Sequence, residues 1–94
     1  MSNEKIISKK ITIKNKLGLH IRAAAKFVDV ANRYSVKIQV RCKNKLINGK
    51  SVMALMMLAA KQGTALELIA SGDDASKTID ALSHLINNHF GEND

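Results

Sequence analysis

Proline and tryptophan are absent from this 94-residue chain, and cysteine occurs once, at Cys42. Without proline, and with five scattered glycines, no stretch reads as a linker or a low-complexity tract. One cysteine cannot build a disulfide framework or a thiolate metal site. Aromatics are scarce too: Phe27, Tyr34 and Phe90 are all there are, so the core has to be aliphatic. The longest apolar run, residues 52–60, is too short to cross a bilayer. The opening Met1-Ser2-Asn3-Glu4-Lys5 has no apolar core of the kind a signal peptide needs. These absences lead to the expectation of a cytoplasmic protein with no membrane insertion. Its length suits one small domain over residues 1–94, with a flexible extension at 1–6 and a flexible tail at 91–94.

Acidic residues are missing from one half in particular. Thirteen of the fifteen Lys and Arg (all but Lys61 and Lys77) fall in residues 1–50, where Glu4 and Asp29 alone oppose them. The formal net charge of +7 is therefore lopsided. A basic half suits an acidic partner surface or a nucleic acid, with the encounter steered by charge. It does not choose between them.

What is present is periodicity. Ser8 to Asn15 alternates, with Ile11 and Ile13 on one face and Lys10, Thr12 and Lys14 on the other. Val36 to Arg41 repeats this pattern, Lys45 to Asn48 reads as a short strand, and Ala65 to Ala70 as a fourth. Between them the spacing predicts three helices. The first runs from about Ile21 to Arg33, with Ile21, Ala24, Ala25 and Val28 as its apolar stripe. Ser51 opens a short, nearly all-apolar helix through Ala60. The third starts at Asp73 or Asp74 and carries Ala75, Ile79, Leu82, Ile86 and Phe90 on its buried side. The order βαββαβα predicts an α+β open-faced β-sandwich: a four-stranded, mainly antiparallel sheet with three helices on one face.

One segment carries chemistry. Gly18-Leu19-His20-Ile21-Arg22-Ala23 sits where a strand hands over to a helix. A helix start offers unpaired N–H groups and partial positive charge, so it receives anions. His20 placed there, with Arg22 two residues on, could hold a transient phosphoryl group; it could equally be a cap or a general base. No serine, cysteine or carboxylate accompanies His20 in sequence, and no second ligand stands at metal spacing. His84 and His89 lie off the apolar stripe of their helix and read as solvated surface residues. On the sheet's open face Lys10, Lys14, Lys37 and Arg41 could meet nucleic acid phosphates. No aromatic stacking platform is interleaved with them, and there is no GxxG loop, so nucleic acid is not the expected partner.

Gly18-Leu19-His20-Ile21-Arg22-Ala23-Ala24 and Asn48-Gly49-Lys50-Ser51-Val52-Met53 together resemble the HPr family, the histidine-containing phosphocarriers of the bacterial phosphotransferase system. Lys61-Gln62-Gly63-Thr64 is also similar to that family, and the resemblance spans about Ile6 to Phe90. It implies a non-enzymatic carrier, without cofactor or metal. His20 would accept phosphate on Nδ1 from enzyme I and pass it to a histidine of enzyme IIA. Arg22 would stabilise the group, and the backbone N–H groups of Ile21 and Arg22 would contact its oxygens. In many members the serine matching Ser51 is phosphorylated by an HPr kinase/phosphorylase and read by a transcriptional regulator, beside its plain role as a helix cap. Partner docking would fall to Val52, Met53 and Met56, rimmed by Lys26 and Lys50, on a monomer. A regulatory, nitrogen-type relative that controls other proteins without sugar transport would look the same. Where the family usually has proline after the arginine, this chain has Ala23.

Overall fold

The computed structural model describes residues 5–92. Its elements run β1 (Ile6–Thr12), α1 (Ile21–Ala31), β2 (Lys37–Cys42), β3 (Lys45–Asn48), α2 (Val52–Met57), β4 (Ala65–Ser71) and α3 (Ala75–Asn87), followed by a 3-10 turn at His89–Gly91. The sheet order is β1-β4-β2-β3, and every neighbouring pair is antiparallel. The α+β open-faced sandwich anticipated from the sequence is the observed fold.

Alternation makes the sheet two-faced. In β2 and β4 every second residue is buried: Ile38, Val40 and Cys42 in one, Leu66, Leu68 and Ala70 in the other. The edge strand β1 breaks the rule. Lys9 pairs with the buried Leu68, so it shares the core side of the sheet, yet it is exposed. A charge on the core side of an edge strand discourages another strand from pairing there. β4 inserts between β1 and β2, and the chain after it returns as α3 across β1 and β4. The stripe Ala75, Ile79, Leu82 and Ile86 is buried as expected, and so is Phe90 beyond the helix end.

The first helix is turned relative to its sequence reading. Its buried residues are Ala23, Ala24, Phe27 and Ala31, while Ile21 is 64% exposed and Ala25 lies outside. Three successive alanines carry no phase of their own, so Phe27 sets the face that packs inward. The second helix is shorter than expected. It ends at Met57 because Ala59 takes a left-handed conformation, φ 51°, that no helix continues through. Leu55 and Leu58 are core and Val52 is half-buried, whereas Met53 and Met57 stand out in solvent.

The described parts of the two predicted flexible ends take part in regular structure. Ile6 already pairs with Ser71 in the sheet, and Gly91 and Glu92 belong to a packed C-terminal turn. Residues 1–4 and 93–94, the rest of that expected extension and tail, lie outside the described residues. No described helix is long and apolar enough to cross a membrane.

Candidate functional site

The loop from β1 to α1 is fastened to the segment that follows α2. Leu19 N–H donates to Ala60 O at 2.8 Å, and Gly18 N–H donates to Asn15 O at 3.1 Å. Gly18 has φ +70°, and a Cβ there would lie 2.5 Å from Ala60 O and 2.9 Å from Lys61 Cα. No other residue fits that bend. Leu19, buried, anchors the step just before His20.

His20 occupies the N-cap position of α1 with extended backbone, φ −79° and ψ 177°, but its side chain caps nothing. That removes the capping alternative. The first bond of the helix runs from Ala24 N–H to His20 O at 2.8 Å, so the amides of Ile21, Arg22 and Ala23 have no helical acceptor. Among the described residues the Arg22 side chain makes no hydrogen bond or ion pair, and it is exposed. His20, Ile21, Arg22 and Lys26 line one open depression with Leu17 and Glu92.

Glu92 is the residue that sequence reading missed. Its carboxylate Oε2 is paired with His20 Nε2. A carboxylate accepts and does not donate, so Nε2 carries a proton, and in the neutral ring Nδ1 then keeps its lone pair. The other oxygen, Oε1, accepts from the Nδ2 of the fully buried Asn15 at 2.9 Å. The carboxylate that the sequence around His20 lacks therefore arrives from 72 residues away. Its carrier is the turn after α3, in which His89 and Phe90 both have left-handed backbone, φ 56° and 55°, and Phe90 is buried. No local pattern signals such a contact.

The two lysines expected on a basic rim are less free than that reading supposed. Lys26 Nζ donates to Phe90 O at 2.7 Å and so tethers the C-terminal turn. Lys50 Nζ donates to Tyr34 O at 2.8 Å, just past the C-terminal end of α1. Since α2 starts beside Tyr34 and the chain beyond it meets Leu19, Ser51 and His20 sit toward opposite ends of α1. At about 1.5 Å per residue, α1 alone separates those ends by roughly 16 Å. Ser51 does act as a cap, its Oγ accepting from Ala54 N–H at 3.1 Å, which contributes about 1 kcal/mol. An apolar surface is present as expected, with Met53 at 73% and Met56 at 38% exposure. Exposed Leu17 and Ile21, which the sequence reading left out of it, flank the histidine itself.

The remaining histidines differ from each other. His84 is exposed on α3, whereas His89, expected in solvent, is half-buried in the turn. On the open sheet face Lys10, Lys37 and Arg41 are exposed, with Arg41 paired to Glu67 at 3.2 Å. Phe27 and Phe90 are core and Tyr34 packs against it, so no aromatic stands on that face.

Known proteins resemble this chain in sequence and in fold. The family profile described as "PTS HPr component phosphorylation site" matches residues 7–88. The chain is 55% identical over 86 residues to the phosphocarrier protein HPr of Pseudomonas putida, covering 90% of this chain and 96% of that protein. It is 45% identical over 87 residues to the HPr of Neisseria meningitidis, covering 93% and 98%. Among solved structures, HPr-C-His from Thermoanaerobacter tengcongensis superposes with a TM-score of 0.88 at 46% identity, covering 92% of this chain and 97% of that one. Glu92 lies beyond the matched residues.

Proposed function

The chain belongs to the HPr phosphocarrier family, and from that premise we propose that His20 takes a phosphoryl group from phosphorylated enzyme I and hands it to a histidine of enzyme IIA. The observation that carries this reading is the pairing of His20 Nε2 with Glu92, which leaves Nδ1 as the nucleophilic nitrogen. Phosphorus leaves the donor nitrogen, which keeps the bonding electron pair, and forms a bond to Nδ1. The ring gains positive charge as that bond forms, and the Glu92 carboxylate against Nε2–H stabilises it. The transferred group is a loose, highly charged species in flight, so the protein's task is positioning and charge compensation. The amides of Ile21 and Arg22, which have no helical acceptor, and the Arg22 guanidinium, unpaired among the described residues, supply both. Ala23 takes no chemical part, and its own amide is likewise unbonded within the helix.

The test is incubation with phosphoenolpyruvate and enzyme I. The expected product is a single acid-labile, alkali-stable phosphate; an alkali-labile or acid-stable linkage would contradict the assignment.

Docking of enzyme I and enzyme IIA is assigned to the apolar surface of Val52, Met53 and Met56, extended by Leu17 and Ile21 around the histidine. Methionine suits a surface that must fit several partners. Met53→Glu should slow transfer to enzyme IIA by about tenfold, as expected when a side chain near the middle of an interface no longer fits its partner. Unchanged stopped-flow transfer rates would remove Met53 from the docking surface. Ser51 is assigned a second role as the target of an HPr kinase, on the strength of the family resemblance. Two added negative charges at that cap are tolerated by the helix and oppose an acidic partner.

A further inference from the structure

Asn15 is fully buried, and nothing in the phosphoryl chemistry calls for a buried amide there. Buried side-chain amides are retained for their hydrogen bonds. Both hydrogens of its Nδ2 are used: one toward Gly18 O at 2.7 Å, the other toward Glu92 Oε1 at 2.9 Å. Its Oδ1 is buried with no partner among the described residues. Turning the amide over would set Oδ1 against two acceptors, so the orientation is fixed. What the fold keeps is the donor end, at the expense of an orphaned oxygen.

We infer that Asn15 is a positioning residue for phosphoryl acceptance: through Glu92 it holds the imidazole of His20, and it makes no contact with the phosphate itself. The inference rests on the carrier reading above. The carboxylate of Glu92 is gripped at both ends, Oε1 by Asn15 and Oε2 by His20, which sets the plane of the group as well as its location. Gly18 O, the second acceptor of Asn15, belongs to the bend that launches α1 and also receives His20 N–H at 3.0 Å. One buried amide thus ties the helix-start loop to the C-terminal turn, and the histidine lies between them. The arrangement parallels the partners that orient metal-binding histidines, whose removal costs about tenfold or more without touching the reacting atom.

The test joins a spectroscopic reading with a kinetic cycle. In the unphosphorylated protein, the Nε2–H proton of His20 should be visible by nuclear magnetic resonance, protected from exchange by Glu92. In Asn15→Ala it should broaden or vanish while the backbone amide spectrum stays folded. Phosphoryl uptake from phospho-enzyme I should fall about tenfold in maximal rate, with KM for enzyme I unchanged. In a Glu92→Ala background, Asn15→Ala should have no further effect on that rate. Should Asn15→Ala fail to fold, Asn15→Asp, which keeps the shape but turns an oxygen toward Glu92, is read the same way. An unchanged Nε2–H signal in a folded variant, or losses that multiply in the double variant, would overturn the inference. The spectroscopic arm needs no enzyme I. Failure there leaves the carrier reading standing, and a wild-type protein that shows the signal but takes no phosphate counts against the carrier reading alone.

Discussion

His20→Ala is expected to abolish phosphate uptake from phosphoenolpyruvate and enzyme I, by a factor of about a thousand or more, while leaving the fold intact. The size follows from removing the nucleophile itself, which neighbouring groups do not replace. Neither His84, out on α3, nor His89, half-buried in the turn, lines the depression in front of Arg22. Stability should change little. The His20 side chain caps nothing, and Glu92 keeps its bond to Asn15 when the ring is gone. Labelling followed by electrophoresis measures the first effect, and thermal melting the second. Label persisting in a folded His20→Ala protein would mean that another residue is the acceptor.

Phe90→Ala is expected to produce the largest loss of stability and to weaken the site at the same time. The ring is fully buried, and truncating a buried phenylalanine costs about 3–5 kcal/mol. For a chain of this size that corresponds to a drop in Tm on the order of 20 °C. The position adds a second reason. His89 and Phe90 hold consecutive left-handed conformations, which cost non-glycine residues about 1–2 kcal/mol each, and the buried ring is what keeps the turn in that shape. Without it, Lys26 loses the geometry of its bond to Phe90 O, and Glu92 is no longer delivered to His20. Phosphoryl uptake should therefore fall even at temperatures where the variant is folded. A Tm within a few degrees of the parent would show that the turn is held by something other than this ring.

The sheet was readable because alternation has a fixed period and a buried face. β3 falls where the sequence reading put it, and Ile38 and Val40 face inward from β2 as the pattern selects, with Cys42 a third inward residue beyond the predicted end. The third helix was equally legible, since large aliphatic residues recur along one side of it. The first helix was not. Ile21 looked like a core residue by size, but the turn that presents His20 to solvent presents Ile21 as well, and Ala23 and Ala24 fill the tight contact instead. His20 and Arg22 were legible because they are neighbours in sequence at a helix start. Asn15 and Glu92 were not, because their contact spans 77 residues, and alternation marks Asn15 only as the end of a strand pattern while Glu92 lies in no periodic segment. Composition and spacing report what each element does alone; a carboxylate carried to a distant loop by a packed turn leaves no trace in either.

The central claim concerns one nitrogen, and nuclear magnetic resonance of the nitrogen-15-labelled, phosphorylated protein reads it directly. The pairing of His20 Nε2 with Glu92 predicts phosphorus coupled to Nδ1 of His20. Phosphorus coupled to Nε2 instead, or found in an oxygen ester on any serine, would contradict it.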